Sequence, residues 1–288
     1  MQRLSNERSE KPTKVAFQGE IGAYSEIAIY EFFRQEVQPV PCKRFSDVFR
    51  CVESGETEFG VVPIENSIEG SVTQVYDLFL DYDVKVCGEV VLRIIHCLIA
   101  NPGVALDSIR VVYSHPQALG QCRNFLERLN CEIISTYDTA GSVKMIKERG
   151  LLDAAAIASE RAAKIYGMNI LAKDIADNPN NYTRFFILSR FDSPPTGNDK
   201  TSIIFSTRHI PGALYRALGE FALRGINLTK IESRPTRRRP WEYYFYLDFE
   251  GHRTEAKCAE ALEGLRANTL FVKILGSYPK SPEINNAV

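Results

Sequence analysis

The side chains best suited to chemistry in this chain sit in short polar stretches that follow apolar runs. KVAFQ leads into residues 19–26 (GEIGAYSE), where glycines permit close backbone approach and Ser25, beside Ala23 and Tyr24, can cap a following helix. VVPI leads into 65–71 (ENSIEGS), with Asn66, Ser67 and Gly70. RVVY leads into 114–117 (SHPQ), where Ser114, His115 and Gln117 surround a proline suited to a first helical turn. IISTY leads into 138–142 (DTAGS), with Thr139. A last stretch, NYTRFFILSR (181–190), sets Thr183 and Arg184 beside Phe185 at the entry to an apolar strand. Taken singly, each reads as a capped turn or a strand entry. Together, these groups at one end of a sheet suit a small anion held by hydrogen bonds rather than by metal. No carboxylate pair, Ser-His-Asp order or phosphate-loop lysine accompanies them, and the lone GxxG of the first loop is weak evidence for a nucleotide.

The elements that must position these loops alternate. β-rich runs (KVAFQ, FGVVPI, IRVVYS, CEIISTYD, AAAIAS) are each followed by a helical pattern (SEIAIYEFF, VTQVYDLFL, PQALGQCRNFLERL, AGSVKMIKE, ERAAKIYG). That order predicts an α/β domain with mainly parallel sheets, whose ligands gather at the carboxyl ends of strands. DSPPTGND (192–199) then reads as a linker. Behind it TSIIFST, GALYRALGEFALRG, LTKIESR, YYFYLDFE, EAKCAEALEGLRA and FVKILGSY give strand-helix-strand-strand-helix-strand, the ferredoxin-like βαββαβ arrangement. Two helices cover one face of such a sheet, so its other face and edge are expected to pair, making a dimer.

Composition excludes several classes. A formal net charge of -1 gives no global attraction to nucleic acid, and the short run Arg237, Arg238 and Arg239 reads as a solvated hairpin loop. No apolar run approaches the roughly 18 residues of a membrane span, and MQRLSNERSEKPT resembles neither a secretory signal nor a transit peptide. The 7 cysteines show neither CxxC pairs nor metal-type spacing with the 4 histidines, so reduced thiols, a cytoplasmic location and no metal are expected.

QGEIGAYSE, PIENSIEGS, SHPQAL, DTAGS, AAIAS and NYTRF, in this order, resemble the successive motifs of the prephenate dehydratase family. GALY, GINLTKIESRP and LGSYP resemble its ACT regulatory domain, so the likeness runs from Lys14 to Pro279. Ala23, the DTAG string and LTKIESRPTRRRP are most similar to the plant-like and related bacterial subgroup, many of whose members prefer arogenate.

The resemblance implies a catalytic domain over 14–192 like a type II periplasmic binding protein, with lobes 14–92 plus 181–192 and 93–180. A linker over 193–199 and an ACT domain over 200–279 follow. It implies decarboxylating dehydration of prephenate to phenylpyruvate, or of arogenate to phenylalanine, driven by aromatisation without a cofactor. The family's TRF motif maps onto Thr183, Arg184 and Phe185, with Thr183 the essential hydroxyl. Hydroxide leaves poorly without a proton or strong hydrogen bond, and Thr183, too weak an acid to carry a spare proton, fits an oriented donor or relay. His115 can titrate near neutrality and is a candidate proton source; a helix-terminal histidine bonded to backbone is the equal alternative. Arg184 fits a substrate carboxylate, or else an ion pair bracing the lobes. Asn66, Ser67, Ser114 and Gln117 are the implied neighbours. In the ACT region Gly212, Ala213, Leu214 and Tyr215 open a helix that could receive an amino acid's carboxylate. Asn227 and Leu228, with Glu232, Ser233, Arg234 and Pro235, resemble the second effector segment, although Glu232 and Arg234 also suit an interdomain salt bridge. L-Phenylalanine as effector and a homodimer or homotetramer follow from the same likeness. A non-catalytic amino-acid-sensing ACT protein and a bare solute receptor are the readings from other classes; the intact polar loops disfavour the first and the missing export signal the second.

Overall fold

Residues 12–236 and 241–282 are described by the structure, a computed structural model. The expected basic hairpin loop at Arg237, Arg238 and Arg239 lies outside them. The first lobe is built from β1 (Thr13–Gln18), α1 (Tyr24–Phe33), β2 (Val37–Cys42), α2 (Phe45–Ser54), β3 (Phe59–Asn66), the short β4 (Gly70–Ser71), α3 (Thr73–Asp81) and β5 (Lys85–Arg93). The chain crosses at residues 94–96 into a second lobe. That lobe holds β6 (Cys97–Ala100), β7 (Val111–Ser114), α4 (Pro116–Gln121), α5 (Arg123–Leu129), β8 (Glu132–Ser135), α6 (Thr139–Glu148), β9 (Ala154–Ala158), α7 (Glu160–Tyr166) and β10 (Asn169–Lys173). It returns through 174–181 to β11 (Tyr182–Ser189), the last strand of the first lobe.

The two lobes share one topology. Strands run β2-β1-β3-β11-β5 in the first and β8-β7-β9-β6-β10 in the second. In each, parallel strands are interrupted by one antiparallel strand, and that strand is the one by which the chain enters: β11 on its return, β6 on its arrival. This doubled order with two crossings is the type II periplasmic-binding-protein fold. β9, the run AAAIA, is buried along its whole length because both faces of its sheet are covered. An apolar core containing Phe17, Val61, Phe185 and Ile187 from the first lobe and Val143, Ile146, Ala156 and Ala162 from the second closes the base of the cleft between them.

The C-terminal domain follows as β12 (Asp199–Ser206), α8 (Ala213–Ala222), β13 (Leu228–Pro235), β14 (Tyr243–Glu250), α9 (Ala256–Asn268) and β15 (Phe271–Pro279). Its antiparallel sheet has the order β13-β14-β12-β15, the expected ferredoxin-like arrangement, with α8 and α9 over a core of Ile203, Phe205, Phe221 and Phe249. The opposite face is not left free for pairing, as the sequence alone suggested. Ile204, Tyr246, Leu275 and Tyr278 join Phe49, Phe79 and Phe186 of the first lobe in one core. Edge-to-face pairs cross this junction, Tyr76 with Tyr246 at 4.6 Å and Phe186 with Tyr278 at 5.6 Å between ring centroids. Closest approach falls at Gly276 of β15, where a Cβ would strike the Val86 carbonyl of β5. Only a residue without a side chain lets the two strands cross there.

Backbone cannot yield as a flexible side chain can, so Gly276→Ala is expected to lower stability by about 1–3 kcal/mol through overpacking. Amide exchange in β15 should speed up with it. Thermal unfolding and hydrogen exchange test this; wild-type values in both would mean that the sheets are not in contact.

Candidate active site

The carboxyl ends of β1 and β3, the start of β11 and the loops after β7 and β8 converge on a cleft of about 1080 Å³. Gln18, Gly19, Asn66, Thr183 and Phe185 line it from the first lobe; His115, Gln117, Gln121, Asp138 and Thr139 from the second. Helices α1, α2, α3 and α6 begin at its wall with Tyr24, Phe45, Thr73 and Thr139, so several positive dipole ends face one volume. Lys43 and Arg44, both exposed, add positive charge at its rim.

The centre of the site is a turn that fixes an amide. Asn66 Oδ1 accepts the backbone N–H groups of Ile68 and Glu69, each at 3.0 Å, so Nδ2 must face the other way. That nitrogen shares its two protons among Thr183 Oγ1 (3.0 Å), the Tyr182 carbonyl (3.1 Å) and Asn181 Oδ1 (2.7 Å). Because Thr183 accepts from Asn66, its own proton remains available to the cleft it lines. The chain of bonds continues. Asn181 Nδ2 donates to Gln121 Oε1 (2.8 Å), which also meets His96 Nε2 (2.9 Å), and His96 Nδ1 lies 3.1 Å from the Tyr24 hydroxyl. Gln121 Nε2, buried, has no acceptor among the described residues. A buried donor left unmatched costs about 1–3 kcal/mol.

Titratable groups in the cleft are shifted by burial. Burial pushes His115 below its ordinary value, against the pull of Asp138, so the ring is neutral near pH 7. Its Nδ1 accepts the Gln117 N–H at 3.3 Å, capping α4. Asp138 caps α6 through the Gly141 N–H, yet burial outweighs that bond and raises its carboxyl. Its Oδ2 is buried without a partner among the described residues.

Of the residues expected from sequence, Ala23, Tyr24, Ser25, Asn66, Gly70, His115, Gln117, Thr139, Thr183 and Phe185 line the cleft. Others do not. Ser114 is fully buried and donates to the Ile157 carbonyl, tying β7 to β9. Ser67 bonds the Asn180 carbonyl and the Tyr182 N–H, both at 2.9 Å. Arg184 requires correction: one position along β11 from Thr183, it points to the opposite sheet face, away from any substrate. Its guanidinium meets Asp248 (2.7 Å), Glu89 (3.1 Å) and Glu65 (2.8 Å). Burial opposes its charge, and the carboxylates of Asp248, Glu65 and Glu89 outweigh that, holding its pKa well above the ordinary value. The pair braces the catalytic domain against the C-terminal one, not lobe against lobe. Glu232 and Arg234 are likewise turned inward, Glu232 to Ser71 and Lys230, Arg234 to Asp77 through two bonds of 3.0 and 2.9 Å. Ser233 and Pro235 face outward on the alternating strand. His96, Gln121, Asn181, Lys43 and Arg44 were missed. Asn181 opens the very motif that drew attention to Thr183, which was its one available signal.

A two-lobed cleft that offers neutral donors and helix ends, followed by a small βαββαβ domain packed against the first lobe, defines a ligand-binding α/β protein with an attached ferredoxin-like module. Comparison with known proteins narrows the class. Residues 15–193 match the prephenate dehydratase family and 201–267 the ACT domain. An Arabidopsis thaliana arogenate dehydratase/prephenate dehydratase is 47% identical, covering 92% of this chain and 72% of the relative. The Arthrobacter aurescens prephenate dehydratase in complex with L-Phe superposes with a TM-score of 0.86 at 34% identity, covering 93% of this chain and 90% of that one. A protein described as a quorum quenching acylase superposes equally well, TM-score 0.86 at 35% identity, over 93% and 98%. The chain belongs to the prephenate dehydratase family. Among the described residues no group of three or more His, Cys, Asp or Glu could hold a metal, and no helix is long and apolar enough to cross a membrane.

Replacing Arg184 with Met keeps bulk but strands its carboxylate partners, and the expected loss is about 3–5 kcal/mol of stability. Urea unfolding measures it. A loss under about 1 kcal/mol, typical of an exposed pair, would contradict a buried cluster.

Proposed function

We propose that this enzyme, a hydro-lyase, converts prephenate to phenylpyruvate and that Thr183 is its principal catalytic group. The observation that carries the role is the Asn66–Thr183 bond, in which Thr183 accepts and so keeps its own proton for donation in the cleft it lines. In the reaction the ring carboxylate leaves as carbon dioxide, its bonding pair enters the ring, and the C4–O bond breaks toward hydroxide. The Thr183 proton, hydrogen-bonded to that oxygen, stabilises the charge as it develops, and Gln121, whose Oε1 is taken by Asn181 and His96, is a second candidate donor in the lining. Neutral His115 acts through a hydrogen bond rather than as an imidazolium, and Asp138, with its raised carboxyl, is the better proton reservoir. Lys43 and Arg44 at the rim draw in the doubly charged substrate. Arogenate differs by an ammonium in place of the keto group, and the same machinery serves it. The free thiols of all the cysteines suit a reducing compartment, and the proposed site of action is the cytoplasm.

We infer also that the C-terminal domain binds L-phenylalanine between two copies of the chain. Gly212, at φ 76°, opens α8, whereas Asn227 follows its far end; a helix of 10 residues separates them by about 15 Å. One amino acid cannot span both in one chain, but a second copy can bring its own Asn227 segment to the first copy's Gly212. This reading makes the enzyme a homodimer, alone or paired into a tetramer, and takes support from the relative crystallised with L-Phe.

Thr183→Val removes the hydroxyl at nearly constant volume and is expected to lower kcat by about 10²–10³-fold with a far smaller change in KM. Steady-state turnover with prephenate and with arogenate, and with an acyl amide as control, checks both the role and the substrate. Near wild-type turnover by the variant removes Thr183 from the mechanism; turnover of the acyl amide alone removes the dehydratase reading. Calorimetry on the full chain should show saturable L-phenylalanine binding together with inhibition, and no heat at millimolar ligand would remove the effector assignment.

A further inference from the structure

Donor and acceptor polarity is set once in this site and then copied across the hinge. Asn66 is the origin, since two backbone N–H groups fix its amide. From there each step leaves one choice. Asn181 must present Oδ1 to Asn66, and therefore Nδ2 to Gln121. Gln121 must answer with Oε1, which turns Nε2 away, and His96 must donate to the same oxygen from Nε2. Neutral His96 then accepts at Nδ1, where the Tyr24 hydroxyl can donate in competition with the Ile95 carbonyl at 2.8 Å. His96 is neutral because burial lowers its pKa, against the Gln121 bond and Asp174. His96 and Tyr24 are the titratable members of the chain.

Asn181 and His96 are the members that lie in the two crossings, and of these Asn181 is the one bonded directly to Asn66. It lies in the returning crossing, fully buried, with one amide atom on Asn66 of the first lobe and the other on Gln121 of the second. We propose that Asn181 is a positioning residue for the dehydration, whose amide transmits the Asn66 polarity across the hinge and so aims Gln121 Nε2 as a donor at the substrate. It touches no reacting atom itself. The proposal rests on the dehydratase reading above.

Asn181→Asp tests it with almost no change of shape. The ionised carboxylate offers Gln121 an acceptor in place of a donor, so the Gln121 amide turns over and its oxygen takes the place of the aimed N–H. The protonated carboxyl restores the original pattern, its carbonyl accepting from Asn66 and its O–H donating to Gln121. At pH 8 kcat is expected to fall on the order of 10²-fold, the scale of losing one donor to the transition state, with little change in KM. Relative to wild type at each pH, kcat should recover as pH falls and the carboxyl protonates. Wild-type kcat at pH 8 overturns the proposal, and so does a loss in the folded variant that is the same at every pH. Nitrogen-15 NMR of the unmutated full chain gives an independent reading if the variant does not fold. The Nε2–H tautomer of His96 is expected, and the Nδ1–H tautomer overturns the relay. Should the unmutated enzyme fail to turn over either substrate, the dehydratase reading falls while the tautomer result still decides the polarity relay.

Discussion

Side chains alternate across a β-strand, and that two-residue period on β11 ties together everything this enzyme does. Thr183 and Phe185 face the cleft; Arg184 and Phe186 face the C-terminal domain. The hydroxyl proposed as catalytic and the main interdomain charge are therefore neighbours on one rigid backbone. Around Arg184 the charges are paired: Arg184, Lys200 and Lys230 face Glu65, Glu89 and Asp248, and Lys230 also meets Glu232. Ser202 supplies Asp248 with a further hydrogen bond at 2.6 Å. A cluster with this many close charge pairs favours few geometries, which fixes the docking of the two domains in a way that apolar contact alone would not.

The same junction reaches the effector side. β13, which carries the second segment matched to effector binding, bonds the Asn66 turn through its inward residues: Lys230 to Glu65 and Ser71, Glu232 to Ser71, Arg234 to Asp77 on α3. Glu65 precedes the asparagine that orients Thr183. A ligand that displaces β13 or rotates its sheet acts on that turn directly, because close-packed junctions reset between discrete arrangements and do not bend continuously. The coupling needs no long pathway, only the displacement of an adjacent strand.

The polar loops, the linker and the βαββαβ order were legible in the sequence because turn chemistry and hydrophobic period are local. Thr183, Asn66, His115 and Gln117 could be gathered from loop position for the same reason. Arg184 could not be placed, since a strand-entry arginine looks the same whether it faces a substrate or a carboxylate 64 residues away in another domain. Glu232 and Arg234 were ambiguous in the same way, and the face of the C-terminal sheet looked free because nothing local announces a docked domain. His96, Gln121 and Asn181 acquire meaning only through one another, across separations of 25 and 60 residues. Single polar residues in helices and crossings carry no pattern that a one-dimensional reading can detect.

A hydroxyl as the proposed principal donor accords with the charge of prephenate. Prephenate carries two carboxylates, and the one that departs must shed its solvation as carbon dioxide forms. An ionised acid nearby would repel the substrate, and a cation held against the departing carboxylate would stabilise the ground state more than the transition state. Apart from exposed Glu69 in its lining, the cleft avoids both. Thr183 and Gln121 are neutral donors at any working pH, burial keeps His115 uncharged and biases Asp138 toward its protonated form, and Lys43 and Arg44 stay at the rim. Arg184, the strongest cation next to the reacting hydroxyl in sequence, is turned away and neutralised by carboxylates. Excluding that charge from the cleft is therefore part of the catalytic design, and it is achieved by the same strand alternation that joins the two domains.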